Sequence, residues 1–178
     1  MTDSVIANLR QAYDLGGYVR LEIEDGGHEG FIVGMSAQFV LLQAIYEWQD
    51  YGAMVIPIER IEACETSEFH DDQMRILDFN SVKRTKRFVW VKLGGYPDLF
   101  RALKAKGRFV VLTQDDEADV GEIVEVTADG VALKAVDPGG NWIEDELEFA
   151  YDDISLIQFD DNYSRVLQRY VARAAALN

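Results

Sequence analysis

The chain is short of the residues that most often announce chemistry. One cysteine, Cys64, among 178 residues excludes an internal disulfide, and a lone thiol in an apparent strand reads as a small core residue, not a nucleophile. Its two histidines, His28 and His70, fall in predicted turns without Cys or His companions at ligand spacing, so no metal site is expected. Ser36 lies near His28, but no motif frames the pair as nucleophile and base. No glycine-rich phosphate loop is present, since Gly94-Gly95 and Gly139-Gly140 sit in turns that glycine explains by itself. Charges interrupt every apolar run before about 18 residues, which argues against a membrane helix. Asp3, Arg10 and Asp14 stand where a signal peptide needs an uninterrupted apolar stretch. The expectation is a cytoplasmic protein that is not an enzyme, with no cofactor and no membrane partner.

Basic residues are also scarce, 17 against 32 acids, for a formal net charge of −15. Their placement is uneven. Nine of the 17 lie between Lys83 and Arg108 against a single acid, Asp98, so that segment carries +8 and the rest of the chain −23. Such asymmetry has two readings. Either the basic segment is neutralised by acidic parts of its own molecule or a neighbour, or it awaits an anionic partner. The field of so acidic a chain repels polyanions at long range and favours the first.

What the chain does contain is a repeated pattern. Gly30–Leu42 (GFIVGMSAQFVLL) returns as Gly121–Leu133 (GEIVEVTADGVAL), pairing Ile32 with Ile123, Met35 with Val126, Val40 with Val131 and Leu42 with Leu133. In each copy a strand runs into a polar corner, Ser36–Gln38 or Thr127–Gly130, and straight on into another strand. An apolar content of 48 % with 11 % aromatics suits a folded protein.

Around these copies the periodicity predicts two similar series. The first is a helix over Asp3–Leu15, started by Thr2 or Asp3 and ended at Gly16-Gly17, then a strand over Tyr18–Glu24 and the turn Asp25-Gly26-Gly27. Strands over Glu29–Met35 and Phe39–Tyr46 follow, a loop over Glu47–Gly52, and strands over Ala53–Ile58 and Arg60–Glu65, with Pro57 at an edge or junction. His70–Asn80 suits a short helix through Met74 and Leu77, Ser81–Arg87 a basic connection, and Arg87–Leu93 (RFVWVKL) a buried or shared strand. The second series has a helix over Pro97–Lys106, with Leu99, Ala102, Leu103 and Gly107 opposite Leu9, Ala12, Tyr13 and Gly17. It continues with strands over Arg108–Thr113, Val120–Val126, Val131–Val136, Leu147–Tyr151 and Asp153–Gln158. Gln114–Asp119 is an acidic turn, Asp137–Asn141 a turn of DPGGN type, and Asn162–Ala176 a closing helix. The expected domains are residues 1–80, a basic linker strand over 81–94, and residues 95–178.

A helix followed by five short, bent strands resembles the Sm-like fold, one of the small SH3-like barrels, and the resemblance covers nearly the whole chain twice. It implies a mainly β protein with flanking helices: two tandem five-stranded Sm-like barrels, each preceded by an N-terminal helix. With Gly30 on the glycine of the first Sm motif, Met35-Ser36 fall on its aromatic-Asp corner and Phe39-Val40-Leu41 on its Met-Asn-Leu. In the second copy Val126-Thr127 and Gly130-Val131-Ala132 take those places. The aspartate and asparagine that help form the family's uridine pocket are therefore Ser36 and Val40, and Thr127 and Val131. The Arg-Gly of the second Sm motif falls on Pro57-Ile58 and on Ala150-Tyr151. Without the amide and the arginine, inherited RNA binding is not implied.

Three surfaces remain. Trp48 and Tyr51, beside Tyr46, lie in the loop after the third strand, and Trp142 occupies the aligned loop opposite Tyr51; such aromatics either cover a barrel end or seam or form an interaction surface. Lys83, Arg84, Lys86 and Arg87, with Arg101, Lys104 and Arg108, form a candidate anion or partner surface, interleaved with Phe88 and Trp90. Asp115, Asp116, Glu117 and Asp119 alternate as Ca²⁺ ligands can, but lack the central glycine and distal glutamate of a calcium loop. The sequence thus predicts a protein-interaction or assembly module that binds a protein partner or itself. A cationic protein suits its acidity. The alternative is a divergent RNA-binding protein using residues 83–108, which the −23 of the remaining chain opposes.

Overall fold

Among the described residues, alternating apolar residues between tight turns produce ten antiparallel strands, and four amphipathic segments produce α-helices. The computed structural model describes residues 3–24, 26–115 and 117–176. Thr2 and the Asp3 side chain, offered above as helix caps, lie outside this description, as do Asp25 and Asp116 of the two turns. The chain divides into two compact units, Met1–Leu93 and Gly94–Asn178.

In the first unit α1 (Asp3–Leu15) precedes β1 (Tyr18–Ile23), β2 (Gly26–Met35), β3 (Phe39–Tyr46), β4 (Gln49–Pro57) and β5 (Ala63–Glu65), followed by α2 (His70–Phe79). In the second, α3 (Tyr96–Ala105) precedes β6 (Phe109–Gln114), β7 (Glu117–Val126), β8 (Gly130–Ala135), β9 (Leu147–Ala150) and β10 (Leu156–Phe159), followed by α4 (Asn162–Ala175). The strand orders are β5-β1-β2-β3-β4 and β10-β6-β7-β8-β9: in each unit the fifth strand returns to the side of the first.

The two ladders agree residue for residue at a spacing of 91. Gly30 faces Ala44 as Gly121 faces Ala135, and a bulge falls at Ile32/Gly34 in one and at Ile123/Glu125 in the other. Bulges of this kind bend a strand and increase its twist. At each corner a hydroxyl replaces missing strand partners: Ser36 Oγ accepts from the Gln38 and Phe39 amides, Thr127 Oγ1 from those of Asp129 and Gly130. Gly30 and Gly121 are required where they stand. A Cβ there would come within 2.0 Å of the Gln43 carbonyl oxygen and 2.2 Å of that of Lys134.

The helices follow the same spacing, which corrects the alignment read from sequence. Gly16 and Gly107, at φ +68° and +60°, are the left-handed residues that end α1 and α3, so Leu9 answers Phe100 and Ala12 answers Leu103. Leu9, Leu21, Ile32, Leu42 and Ile56 are fully buried in the first unit, and Leu99, Phe100, Leu103, Leu112 and Leu133 in the second. On α4, Leu167 and Val171 pack with Phe109, Val111, Val120 and Val136. Asp161 caps that helix, its Oδ1 accepting from the Ser164 amide at 2.9 Å.

Five further expectations are corrected. Glu47–Gly52 is not a loop: β3 turns directly into β4 through Glu47 and Trp48, both at positive φ (47° and 62°), so Tyr51 and Gly52 are strand residues. Gln114–Asp119 likewise shrinks to a tight hairpin in which Gln114 pairs with Glu117, placing Glu117 and Asp119 on β7. His28 sits on β2 opposite Leu21, and His70 is the first residue of α2. Arg87–Leu93 forms no strand. Turn bonds from the Val89 amide to the Lys86 carbonyl and from Val91 to Phe88 replace a ladder, burying Phe88 and Val91 while Val89 stays 80 % exposed. Finally, hydrogen bonding closes neither unit into a barrel. The predicted last strands are interrupted by 3₁₀ turns, Ile58–Arg60 and Tyr151–Asp153, which leave β5 and β10 only three and four residues long.

Candidate functional site

Lys83, Arg84, Lys86 and Arg87 lie on a strap, residues 81–93, held against the sheet of the first unit. Gln43, 1 % exposed on β3, is its clasp. The Gln43 amide donates to the Lys83 carbonyl (3.0 Å) and Asp50 Oδ2 (2.8 Å), while its oxygen accepts from the Thr85 amide (2.8 Å). Arg84 reaches back to the carbonyls of Ile32 (2.8 Å) and Tyr13 (3.0 Å) and lies 5.2 Å over the Tyr13 ring. Arg87 pairs with Asp50 at 2.7 Å and covers the Phe88 ring. Lys83 is 3.4 Å from Asp78 with both side chains well exposed, and Lys86 is exposed.

In the second unit Lys104 donates to the Val124 carbonyl at 2.6 Å and Arg101 lies 3.8 Å from Asp98 on the same helix. Arg108 Nε sits 3.2 Å from Asp160 Oδ1, an ion pair without hydrogen-bond alignment. Most of the predicted cationic surface is thus engaged by carbonyls and carboxylates of its own unit. Sequence reasoning did not find Gln43. A glutamine inside an otherwise apolar strand, FVLLQAIY, was the available signal.

The aromatic residues separate. Trp48 turns inward and packs beside Tyr18, Phe31, Ile45 and Leu77, whereas Tyr46 and Tyr51 pair with ring centroids 5.6 Å apart. Trp142 forms a bridge with Val136, meets Phe109 edge-on at 5.8 Å and keeps 41 % exposure. Each covers its own sheet, and Trp142 also presents a face to solvent.

The structure adds a feature that the sequence did not assign. Among the described residues, β5 has β1 as its one strand neighbour, while its Cys64 carbonyl accepts from the Asn8 side chain of α1 (3.2 Å), and β9 has β8 as its one strand neighbour. Along β9 a cavity of about 460 Å³ is bounded by Asp115, Glu117 and Asp119 from the β6–β7 hairpin and by Glu146, Glu148 and Phe149. Among the described residues none of these five carboxylates pairs with a base. Burial, and then the neighbouring Glu117, raise the Asp119 carboxyl above the ordinary range.

No protein family, curated protein or solved structure matches this chain.

Near β5 the acidic character continues. Glu65 and Glu68 line a cavity of about 440 Å³ with Tyr18, Arg20 and Glu29. Tyr18 donates to Glu29 at 2.6 Å, and burial together with that carboxylate holds its hydroxyl protonated far above the usual range. The Cys64 thiol on β5 is pushed up to about 11 by burial and, secondarily, by Glu65. It is therefore a thiol and not a thiolate at neutral pH. Both terminal strands of the sheet order thus lie beside carboxylates.

Proposed function

We propose that the chain is a non-enzymatic protein-interaction module built from two duplicated Sm-like units. The observation that carries this reading is β9, which among the described residues has a strand partner on one side only. An unpaired strand edge is a template for another chain's backbone. The matched strand order, bulges and hydroxyl corners support the Sm-like assignment and the duplication. Self-association is disfavoured because both open edges bear carboxylates, Glu65 at β5 and Glu146 and Glu148 at β9, which repel one another when two copies meet. A cationic protein partner meets no such penalty. RNA binding through residues 83–108 is opposed by the engagement of Arg84, Arg87 and Lys104.

The test is capture from source-cell lysate with the tagged full chain, with and without nuclease, at low and high salt. A stoichiometric protein retained after nuclease and released by salt is expected. Recovery of RNA that reversal of Lys83 and Lys86 to glutamate abolishes would replace this reading with the nucleic-acid one.

A further inference from the structure

We infer that the open edge of β9 takes up an extended peptide strand carrying lysine or arginine at every second position. This rests on the interaction reading above and names its site and its partner's chemistry.

Two independent features converge at β9. The first is backbone. Leu147–Ala150 spends its inner hydrogen bonds on β8, with Val131 opposite Phe149 and Leu133 opposite Leu147, and among the described residues its other side has no strand partner. The second is the walled acidic cavity along that strand, whose opposite side is the β6–β7 hairpin. Side chains of an added strand alternate between its two faces, so only every second one can enter the cavity. There a cationic head meets the carboxylates that line the cavity, Asp115, Glu117, Asp119, Glu146 and Glu148. The intervening residues face away and carry no charge requirement. Strand addition supplies affinity through the backbone, and the cavity supplies specificity through alternate side chains.

The occupant is not a second copy of this chain. The other open edge, β5, has the sequence Ala-Cys-Glu and brings Glu65, flanked by Glu62, against a cavity that already holds five carboxylates. Nor is it a polyanion, which the same carboxylates repel. The Asp119 carboxyl is raised first by burial and then by the neighbouring Glu117.

Three synthetic hexapeptides titrated into the full chain separate the elements of this proposal. One alternates valine with lysine. The second has the same composition in two blocks. The third is the alternating peptide with backbone N-methyl groups on the residues that would donate to β9. Binding is followed by fluorescence anisotropy at about 150 mM salt. The alternating peptide is expected to bind at least about 10-fold more tightly than either control, and Glu148→Lys with Glu117→Lys should remove that preference while the far-ultraviolet circular dichroism is kept. Equal binding of all three would reduce the site to unspecific charge attraction and overturn the proposal, as would no binding by any. A change of mass toward a dimer on dilution-reversed light scattering, abolished by Glu148→Lys, would assign the edge to a second copy instead. Should the lysate experiment yield a protein whose capture is unaffected by Glu148→Lys, the interaction reading stands and the β9 assignment falls.

Discussion

At the scale of single residues, glycines separate two kinds of constraint. Gly107 is needed for its left-handed backbone, with nothing near the position of an added Cβ. Gly30 and Gly121 are needed because a carbonyl of the neighbouring strand occupies that position. Alanine at Gly107 should cost about 1 kcal/mol, the usual penalty for a left-handed residue with a side chain. Alanine at Gly30 or Gly121 forces the strands apart just before the bulge and should cost about 3 kcal/mol, at the upper end for overpacking. Urea midpoints of the three variants test the order, and equal losses would refute it. This distinction was half legible: the repeated glycine marked both positions, but only the ladder shows what it accommodates.

At the scale of elements, the strap over residues 81–93 depends on one buried amide. Gln43→Leu is nearly the same size, yet it strands the Thr85 amide, the Lys83 carbonyl and one oxygen of Asp50. These bonds are partly buried; a fully buried group left unsatisfied costs about 1–3 kcal/mol and a half-wet one less, so a net loss of about 2 kcal/mol is expected. Hydrogen exchange at the Thr85 amide should accelerate by a larger factor than that of amides in β2. Exchange that stays unchanged would mean that Arg84 and Arg87 secure the strap without Gln43. Arg84→Lys should weaken it nearly as much as Arg84→Ala, because an ammonium cannot serve the Ile32 and Tyr13 carbonyls with a planar fork.

Element types were largely readable from apolar periodicity, and α1 and β3 match their expected bounds. The misses share a cause. The Glu47-Trp48 hairpin has positive φ at two residues that are neither Gly nor Asn, so turn chemistry gave no sign of it. Trp48 takes that conformation while packing into the cluster of Tyr18 and Leu77, a tertiary gain invisible to local patterns. In the same way RFVWVKL has the composition of a strand but finds no ladder. The open edge at β9 could not be read at all, since pairing on one side only is a property of the assembled sheet.

At the scale of the whole molecule, charge governs conditions. Asp119 has a folded-state pKa raised above its unfolded value, so the folded chain holds that proton more tightly. Its contribution therefore favours folding at low pH and is lost as pH rises through the folded value. Asp119→Asn should accordingly raise the melting temperature at pH 7, and the gain should shrink as pH falls toward the carboxylate range. A gain independent of pH would show that charge at this position is irrelevant. The same relief is what a bound cation would provide, so the variant should also weaken the alternating peptide.

The three indoles give each unit its own optical signature. Trp48 and Trp90 belong to the first unit and Trp142 to the second. Trp48 is packed among apolar side chains, whereas Trp142 is 41 % exposed against Phe109. Emission from a chain retaining only Trp48 should lie to the blue and resist acrylamide, and that from Trp142 should lie to the red and be quenched. Denaturation followed through each indole in turn would resolve whether the units melt as one or in succession, with no label beyond the chain's own chromophores.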